Sequence, residues 1–574
     1  MAKTSAKRGV QQFVDLCKAK GLKHIVFSPG SRNAPLVIAF VNSKDFTTYV
    51  IPDERSAAFY ALGMAEELNE PVAVACTSGS ALLNYYPAVS EAFYRNIPLV
   101  VISADRPTEL IDQGDGQTIR QEGVFKNHII AEASLYEEPS SEDEERFNNE
   151  EVNKILNEAV KPAGGPVHIN FPFSEPLYDM VEVESQEVNV TDNPSFDSKL
   201  SLEEKEHVRK IWNESPKKLI LCGQMPKNPQ LLNQLKQLAI DPSVAVVVEN
   251  TSNLQDRSFN HCIDRSLNSF QYKCPELFQP DLMITLGDAV ISKKIKTYLR
   301  EYSPETHWKV GYAFPKMDTY MCLTNSYEMQ PTDFMETLCE EGFDRNTSRY
   351  GEQWKQLDYQ IQFKQEEFLT DVEYSDLAVF DLLMDAVPDN AILHLANSSV
   401  VRYAQLFDAL STLTYHCNRG TSGIDGSIST AIGTAITEPD KLHVIITGDI
   451  SFFYDSNAFW NNHVPSNVRV FLINNSGGGI FSIIPGPKST PQGEDYFITR
   501  NNAEAKGICE AYHVNYYRAE SIQEIDDQLQ KFYDWQENDR LALMEIVTPR
   551  DQNPIVLNKY WEHARVKGIK ALKS

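Results

Sequence analysis

Short apolar runs of strand length recur along the whole chain, at residues 23–28, 71–77, 98–103, 166–171, 218–222, 244–249, 282–286, 391–396, 443–447, 468–473 and 541–547, with stretches of helical periodicity between them. The runs lack strict alternation, which is the pattern of strands covered on both faces. A strand–helix–strand rhythm favours parallel pairing, because parallel neighbours need a crossover of helix length. The expected class is therefore α/β, with parallel sheets flanked by helices. Two polar stretches, 182–198 and 365–376, interrupt the rhythm and divide the chain into expected domains of residues 1–183, 199–365 and 377–574. The first and third segments place polar turns after strands in a similar order of elements, as two copies of one architecture would. An acidic run at 137–151 is expected to cap or cover a helix.

Charge narrows the partners. The chain has 53 Lys and Arg against 80 Asp and Glu, a formal net charge of −27, which disfavours nucleic acid and anionic membranes. An anionic ligand must then be met by locally gathered Arg, Lys and helix N-termini. No stretch approaches the ~18 apolar residues of a membrane span. The charged start is not followed by an apolar block, so a cytoplasmic location is expected. Nine cysteines without a Cys-x-x-Cys pair argue against a disulfide framework or a zinc cluster.

The sharpest chemistry lies late in the chain. Gly448-Asp449-Ile450-Ser451 follows one apolar run, and Asn474-Asn475-Ser476-Gly477-Gly478 follows the next. Asn475 comes 26 residues after Asp449, room for one helix and one strand, so both turns should fall at the carboxyl edge of one parallel sheet. A carboxylate, a carboxamide and a glycine carbonyl there can share a hard divalent cation through oxygen alone, with phosphate completing its shell. Read singly, each segment is also an ordinary turn sequence.

The first segment has its own polar strand ends. Phe27-Ser-Pro-Gly-Ser-Arg-Asn-Ala-Pro-Leu36 presents Ser31 and Arg32 at a helix start, as an anion site or as a simple loop. Glu54 opens an Ala-rich helix whose small residues allow another backbone or subunit to approach closely. A carboxylate there reads locally as a cap, or as a proton partner for a heterocycle nitrogen. Thr77-Ser78-Gly79, Arg106 before Pro107, and Gln117 add further donors at the same sheet edge.

Together, Glu54, the Thr77-Ser78-Gly79 turn and the Asp449-to-Asn475 spacing resemble the thiamine diphosphate-dependent decarboxylases and carboligases. Within that superfamily, Ser28-Pro-Gly-Ser-Arg-Asn-Ala-Pro-Leu36, Asp53-Glu-Arg55, Ala104-Asp-Arg-Pro107, Asn418-Arg-Gly-Thr-Ser-Gly-Ile-Asp-Gly426 and Asn474-Asn-Ser-Gly-Gly-Gly-Ile-Phe481 resemble the 2-succinyl-5-enolpyruvyl-6-hydroxy-3-cyclohexene-1-carboxylate (SEPHCHC) synthases, the MenD family of menaquinone biosynthesis. The resemblance runs across nearly the whole chain.

The resemblance implies pyrimidine-binding, central and diphosphate-binding domains, and a homodimer or dimer of dimers with the cofactor between the first domain of one copy and the last domain of its partner. It implies thiamine diphosphate with Mg²⁺, or Mn²⁺ in its place, held by Asp449, Asn475 and the Gly477 carbonyl. Pro29, Thr77, Asn84, Ser398, Gly448, Ile450 and Ser451 would line the cofactor. Glu54 would meet the aminopyrimidine N1′ and Ile424 would wedge between the rings. For the dicarboxylate substrates, 2-oxoglutarate and isochorismate, the implied cations are Arg32, Arg106, Lys293, Arg402 and Arg419. Ser31, Gln117 and Ser398 are neutral partners, and Phe481 and Ile484 are apolar walls. Among these, Glu54, Gln117, Ser31 and Arg32 carry the catalytic assignment. Gly116 stands where the family often has Asn, and Lys294 where it often has Arg; a lysine cannot replace a forked guanidinium contact directly. The competing readings are another superfamily enzyme, such as an acetolactate synthase or a simple 2-oxoacid decarboxylase, and a degenerate cofactor-binding scaffold.

Overall fold

A computed structural model describes residues 2–184, 187–192, 199–270, 275–343, 345–483, 486, 489–534 and 539–565. Its frame is three parallel sheets of six, five and six strands. The first orders its strands Thr47–Val50, His24–Phe27, Val72–Cys76, Leu99–Asp105, Val167–Pro172 and Ala131–Ser134. The third orders Thr414–His416, Ile392–Leu395, His443–Gly448, Val468–Asn474, Ala542–Val547 and Asn515–Ala519. Numbered along the chain within each sheet, both read 2-1-3-4-6-5, and the central sheet reads 2-1-3-4-5. The outer segments therefore share one topology. A two-stranded antiparallel pair, Ala2–Ser5 with Met180–Val183, closes off the first.

Side-chain alternation along each strand decides what the sheets pack against. In the third sheet, Val444, Ile446, Phe471 and Ile473 face a core shared with Leu219, Leu221 and Met283 of the central sheet. Ile445, Val470 and Leu472 face the opposite way, into a core shared with Val26, Val74 and Val101 of the first. Each such side chain, fully buried, contributes about 1.5–3 kcal/mol. Between the first and third sheets, helix Glu54–Leu68 crosses helix Ser427–Thr437. A Cβ on Gly63 would lie 2.0 Å from the Thr430 carbonyl oxygen, and one on Gly433 would lie 2.2 Å from that of Tyr60. The small residues of the first helix thus admit a helix of the same chain.

The same junction carries a charge clamp. His416 places Nδ1 2.8 Å from Glu66 Oε1 and Nε2 3.2 Å from Glu67 Oε2. Burial alone would lower the imidazolium pKa, but the two carboxylates overcome it and raise the value to about 9 from 6.5. This contribution to stability is fully present below pH 6.5 and is lost as pH rises through 9. The urea midpoint is expected to fall across that window, and His416→Gln to flatten the slope; an unaltered slope in the variant would show that the clamp does not couple folding to pH.

The acidic run resolves into Ser141, whose hydroxyl accepts the Glu144 amide, and the helix Glu142–Val160. No helix among the described residues is long and apolar enough to cross a membrane. The eight described cysteines are free, six of them buried.

Candidate active site

In both six-stranded sheets the strand order reverses between the first and third strands, and the loops leaving those strands hold the polar turns. Open parallel sheets bind ligands at such reversals because adjacent loops diverge there and leave a crevice.

In the third sheet, Asp449 begins the short helix Asp449–Tyr454 directly after strand His443–Gly448. The neighbouring strand sets Ile473 opposite Gly448, so Asn475 emerges beside Asp449. The Asp449 carboxylate accepts the Ile450 amide at 2.8 Å and the Gly477 amide at 2.7 Å. Burial nevertheless pushes its pKa up to about 6. Asn475 donates its amide to Asp376 Oδ2 at 3.1 Å, while its Oδ1 is buried and unpartnered among the described residues. Leaving a buried acceptor unpaired costs about 1–3 kcal/mol. Both residues line one cavity of about 280 Å³. A buried carboxylate and an unused carbonyl oxygen in one crevice are the donor set a hard cation takes, so the residues present fit Mg²⁺.

Ser398, Ile424, Gly448, Ile450, Ser451 and Phe481 line the same cavity. Ser398 precedes the helix Ser399–Ala404 with φ +75°, and Ser476 has φ +59°. Non-glycine residues held in this region cost about 1–3 kcal/mol each and cluster at ligand sites. The Ser451 hydroxyl donates to the Ile424 carbonyl at 3.0 Å, tying two walls together. Ile484 lies outside the described residues.

The basic residues divide. Lys293 and Arg402 line an adjoining cavity of about 500 Å³, which shares Ser399 and Ile480 with the first. Arg402 donates to the Ser398 carbonyl. Glu249 accepts the Ile291 and Ser292 amides at 2.7 and 2.8 Å, fixing the turn that delivers Lys293. Lys294 lines the same cavity as Lys293, with its Nζ 3.5 Å from the Trp561 ring centroid. Arg419 is buried and donates to Asn397 Oδ1 at 2.6 Å. It lines a third cavity with Arg95 and Lys296, and its partner Asn397 lines the Asp449 cavity.

The first sheet gathers its own set. The Arg32 amide donates to Thr77 Oγ1 at 3.3 Å, and its Nη1 to the Phe173 carbonyl at 2.9 Å. A Cβ on Gly30 would lie 2.3 Å from Thr77 Cβ, so the loop after Pro29 rests on the Thr77 turn. Gln117 has φ +57°, and a Cβ on Gly79 would lie 3.0 Å from its carbonyl oxygen. Arg106 reaches the Gly116 carbonyl at 3.0 Å. Ser31, Asn84 and Gln117 are exposed. Glu54 is not the cap its position suggested: Asp53 accepts the Ser56 amide at 2.9 Å and caps the helix. Glu54, the next residue, is half-buried, and burial raises its pKa. It is absent from the lining of the Asp449 cavity.

Asn397 and Asp376 line the Asp449 cavity, and Gln121 joins loops of the first sheet, although the sequence reading gave none of them a role. Gln121 accepts the Gly79 amide at 2.9 Å and donates to the Ala104 carbonyl at 3.2 Å, joining two strand-end loops. Asp376 fell in a polar stretch that reads as a boundary.

The chain matches the family model "Thiamine pyrophosphate enzyme, N-terminal TPP binding domain" over residues 7–125 and its C-terminal counterpart over residues 397–546. Curated relatives named 2-succinyl-5-enolpyruvyl-6-hydroxy-3-cyclohexene-1-carboxylate synthase include the Christiangramia forsetii protein, 45% identical over 96% of this chain and 97% of that protein. The Flavobacterium johnsoniae protein is 42% identical over 96% and 98%, and the Porphyromonas gingivalis protein 37% over 97% of each. The chain belongs to the SEPHCHC synthase family of thiamine diphosphate enzymes.

Proposed function

We propose that this chain is the transferase its relatives are named for, a cytoplasmic enzyme of menaquinone biosynthesis. It removes CO₂ from 2-oxoglutarate and adds the remaining succinyl unit to the ring alkene of isochorismate. The observation that carries this reading is the pairing of buried Asp449 with Asn475 Oδ1, unpartnered among the described residues, at adjacent strand ends, within a chain of which 96% aligns with the first of those relatives.

When bound, thiamine diphosphate supplies the electron sink that lets a 2-oxo acid lose CO₂ and transfer its acyl carbon. Asp449, Asn475 Oδ1 and the Gly477 carbonyl hold Mg²⁺, and the same oxygen set takes Mn²⁺. Ser398, Ile450 and Ser451 meet the diphosphate, and Ile424 gives the rings their apolar contact. Pro29, Thr77 and Asn84 line the pyrimidine side. Glu54 holds a proton at the aminopyrimidine N1′; partial burial suits it, since a raised pKa brings the carboxyl nearer working pH. Arg32, Arg106, Lys293 and Arg402 orient the substrate carboxylates, with Ser31 and Gln117 as neutral partners. Arg419 acts on the same side through Asn397, and Phe481 forms an apolar wall.

Because Glu54 does not line the Asp449 cavity, the site on this reading completes between two copies, in a homodimer or a dimer of dimers. Mixing inactive Glu54→Gln and Asp449→Ala subunits tests this. A hybrid dimer unites both intact residues at one of its two sites, so an equimolar mixture is expected to regain about a quarter of native activity. A mixture that exchanges subunits yet stays inactive would contradict the shared site.

A further inference from the structure

The Asn475 carboxamide has two ends, and only its oxygen serves a cation. We propose that Asp376 is the positioning residue that selects the orientation, holding the Asn475 amide so that Oδ1 is presented to the cation beside Asp449. This rests on the reading of Asp449 and Asn475 as a cation pair.

The chemistry of the contact sets the direction. The end of Asn475 lying 3.1 Å from Asp376 Oδ2 is its amide nitrogen, which only donates, with Oδ2 as the acceptor. Oδ1 is the other end of the carboxamide, and it is buried without a partner among the described residues. Asp376 is 1% exposed and lines the same cavity as Asp449 and Asn475. It is itself fixed: Oδ1 accepts the Thr548 hydroxyl at 2.6 Å, and its backbone amide donates to Asn553 Oδ1 at 2.9 Å. Thr548 follows strand Ala542–Val547, whose Val547 pairs with Asn474, and its amide donates to the Asn474 carbonyl at 3.1 Å. The orienting chain therefore runs from one strand end, through the start of helix Asp376–Ala386, to the next strand end. Partners of this kind, bonded to a ligand rather than to the ion, typically change metal affinity when they are lost.

The test is Mn²⁺ binding to the whole protein with thiamine diphosphate present, read from the electron paramagnetic resonance of free Mn²⁺. Wild type should show a saturable site that Asp449→Ala loses; no such site in wild type would remove the underlying reading and this inference with it. Asp376→Asn keeps the size of the side chain but lets its amide face Asn475, and is expected to raise the Mn²⁺ Kd about 10–100-fold. Adding Asn475→Asp swaps donor and acceptor, restoring the contact and an oxygen toward the cavity, and should bring the Kd back to within about threefold of wild type. Unchanged affinity in Asp376→Asn, or a weakened affinity that the double variant fails to recover while remaining folded, overturns the proposal and leaves Asp376 a structural carboxylate. Should Asp376→Asn not fold, Thr548→Val loosens the same carboxylate and should also weaken Mn²⁺; affinity unchanged in that variant overturns the proposal equally.

Discussion

Glu54→Gln is expected to lower kcat by about 10²–10⁴-fold, the range a positioned proton partner contributes, while the protein stays folded. The replacement keeps the side chain's shape and one carbonyl oxygen but cannot hold or release a proton near neutral pH. The fold should tolerate it because Asp53, not Glu54, caps the helix. The helix is further anchored where Gly63 and Gly433 meet their neighbours' carbonyls. The discriminating measurement is kcat at saturating cofactor, alongside circular dichroism. Turnover within about threefold of native, well below the range above, would remove Glu54 from the chemistry.

Asp449→Ala should act on binding rather than on proton transfer. Asp449 is the carboxylate among the proposed cation donors, and its two oxygens also hold the Ile450 and Gly477 amides in place. Losing it removes charge and loop order together. The expected result is a Mg²⁺-dependent thiamine diphosphate Kd raised at least about 100-fold, beyond the typical effect of losing a supporting residue. High cofactor and Mg²⁺ should partly recover activity. Calorimetry measures both, and native affinity in the variant would dismiss the clamp.

How much of this was legible depended on burial. The eleven runs read from the sequence all became strands, each within a residue or two of its expected ends, because sheet interiors demand continuous apolar side chains. The strands that escaped notice are largely those at the margins. Thr47–Val50, Ala131–Ser134, Asn325–Tyr327, Thr414–His416 and Asn515–Ala519 are edge strands with mixed burial, so no apolar run marks them. Thr306–Val310 is interior, but its His307 and Lys309 break the pattern. At the site, residues in Gly-, Asn- and Asp-rich strand-end turns stood out because backbone conformation restricts their type. Asp376 and Gln121 did not, since their partners are distant in the chain and a lone carboxylate or carboxamide has no local signature. The sequence reading offered Glu54 as a cap, and the hydrogen bond from the Ser56 amide gives that role to Asp53 instead. Arg419 shows the converse: a motif residue whose guanidinium is bonded to Asn397 rather than free in the Asp449 cavity.

The most direct measurement is isochorismate consumption by the purified protein with thiamine diphosphate and Mg²⁺, with and without 2-oxoglutarate, together with CO₂ release and product mass. The expected result is loss of isochorismate only when 2-oxoglutarate is present, one CO₂ per isochorismate consumed, and a product carrying the added succinyl unit. Loss that does not require 2-oxoglutarate, CO₂ release without any loss of isochorismate, or no reaction at all would contradict the assignment.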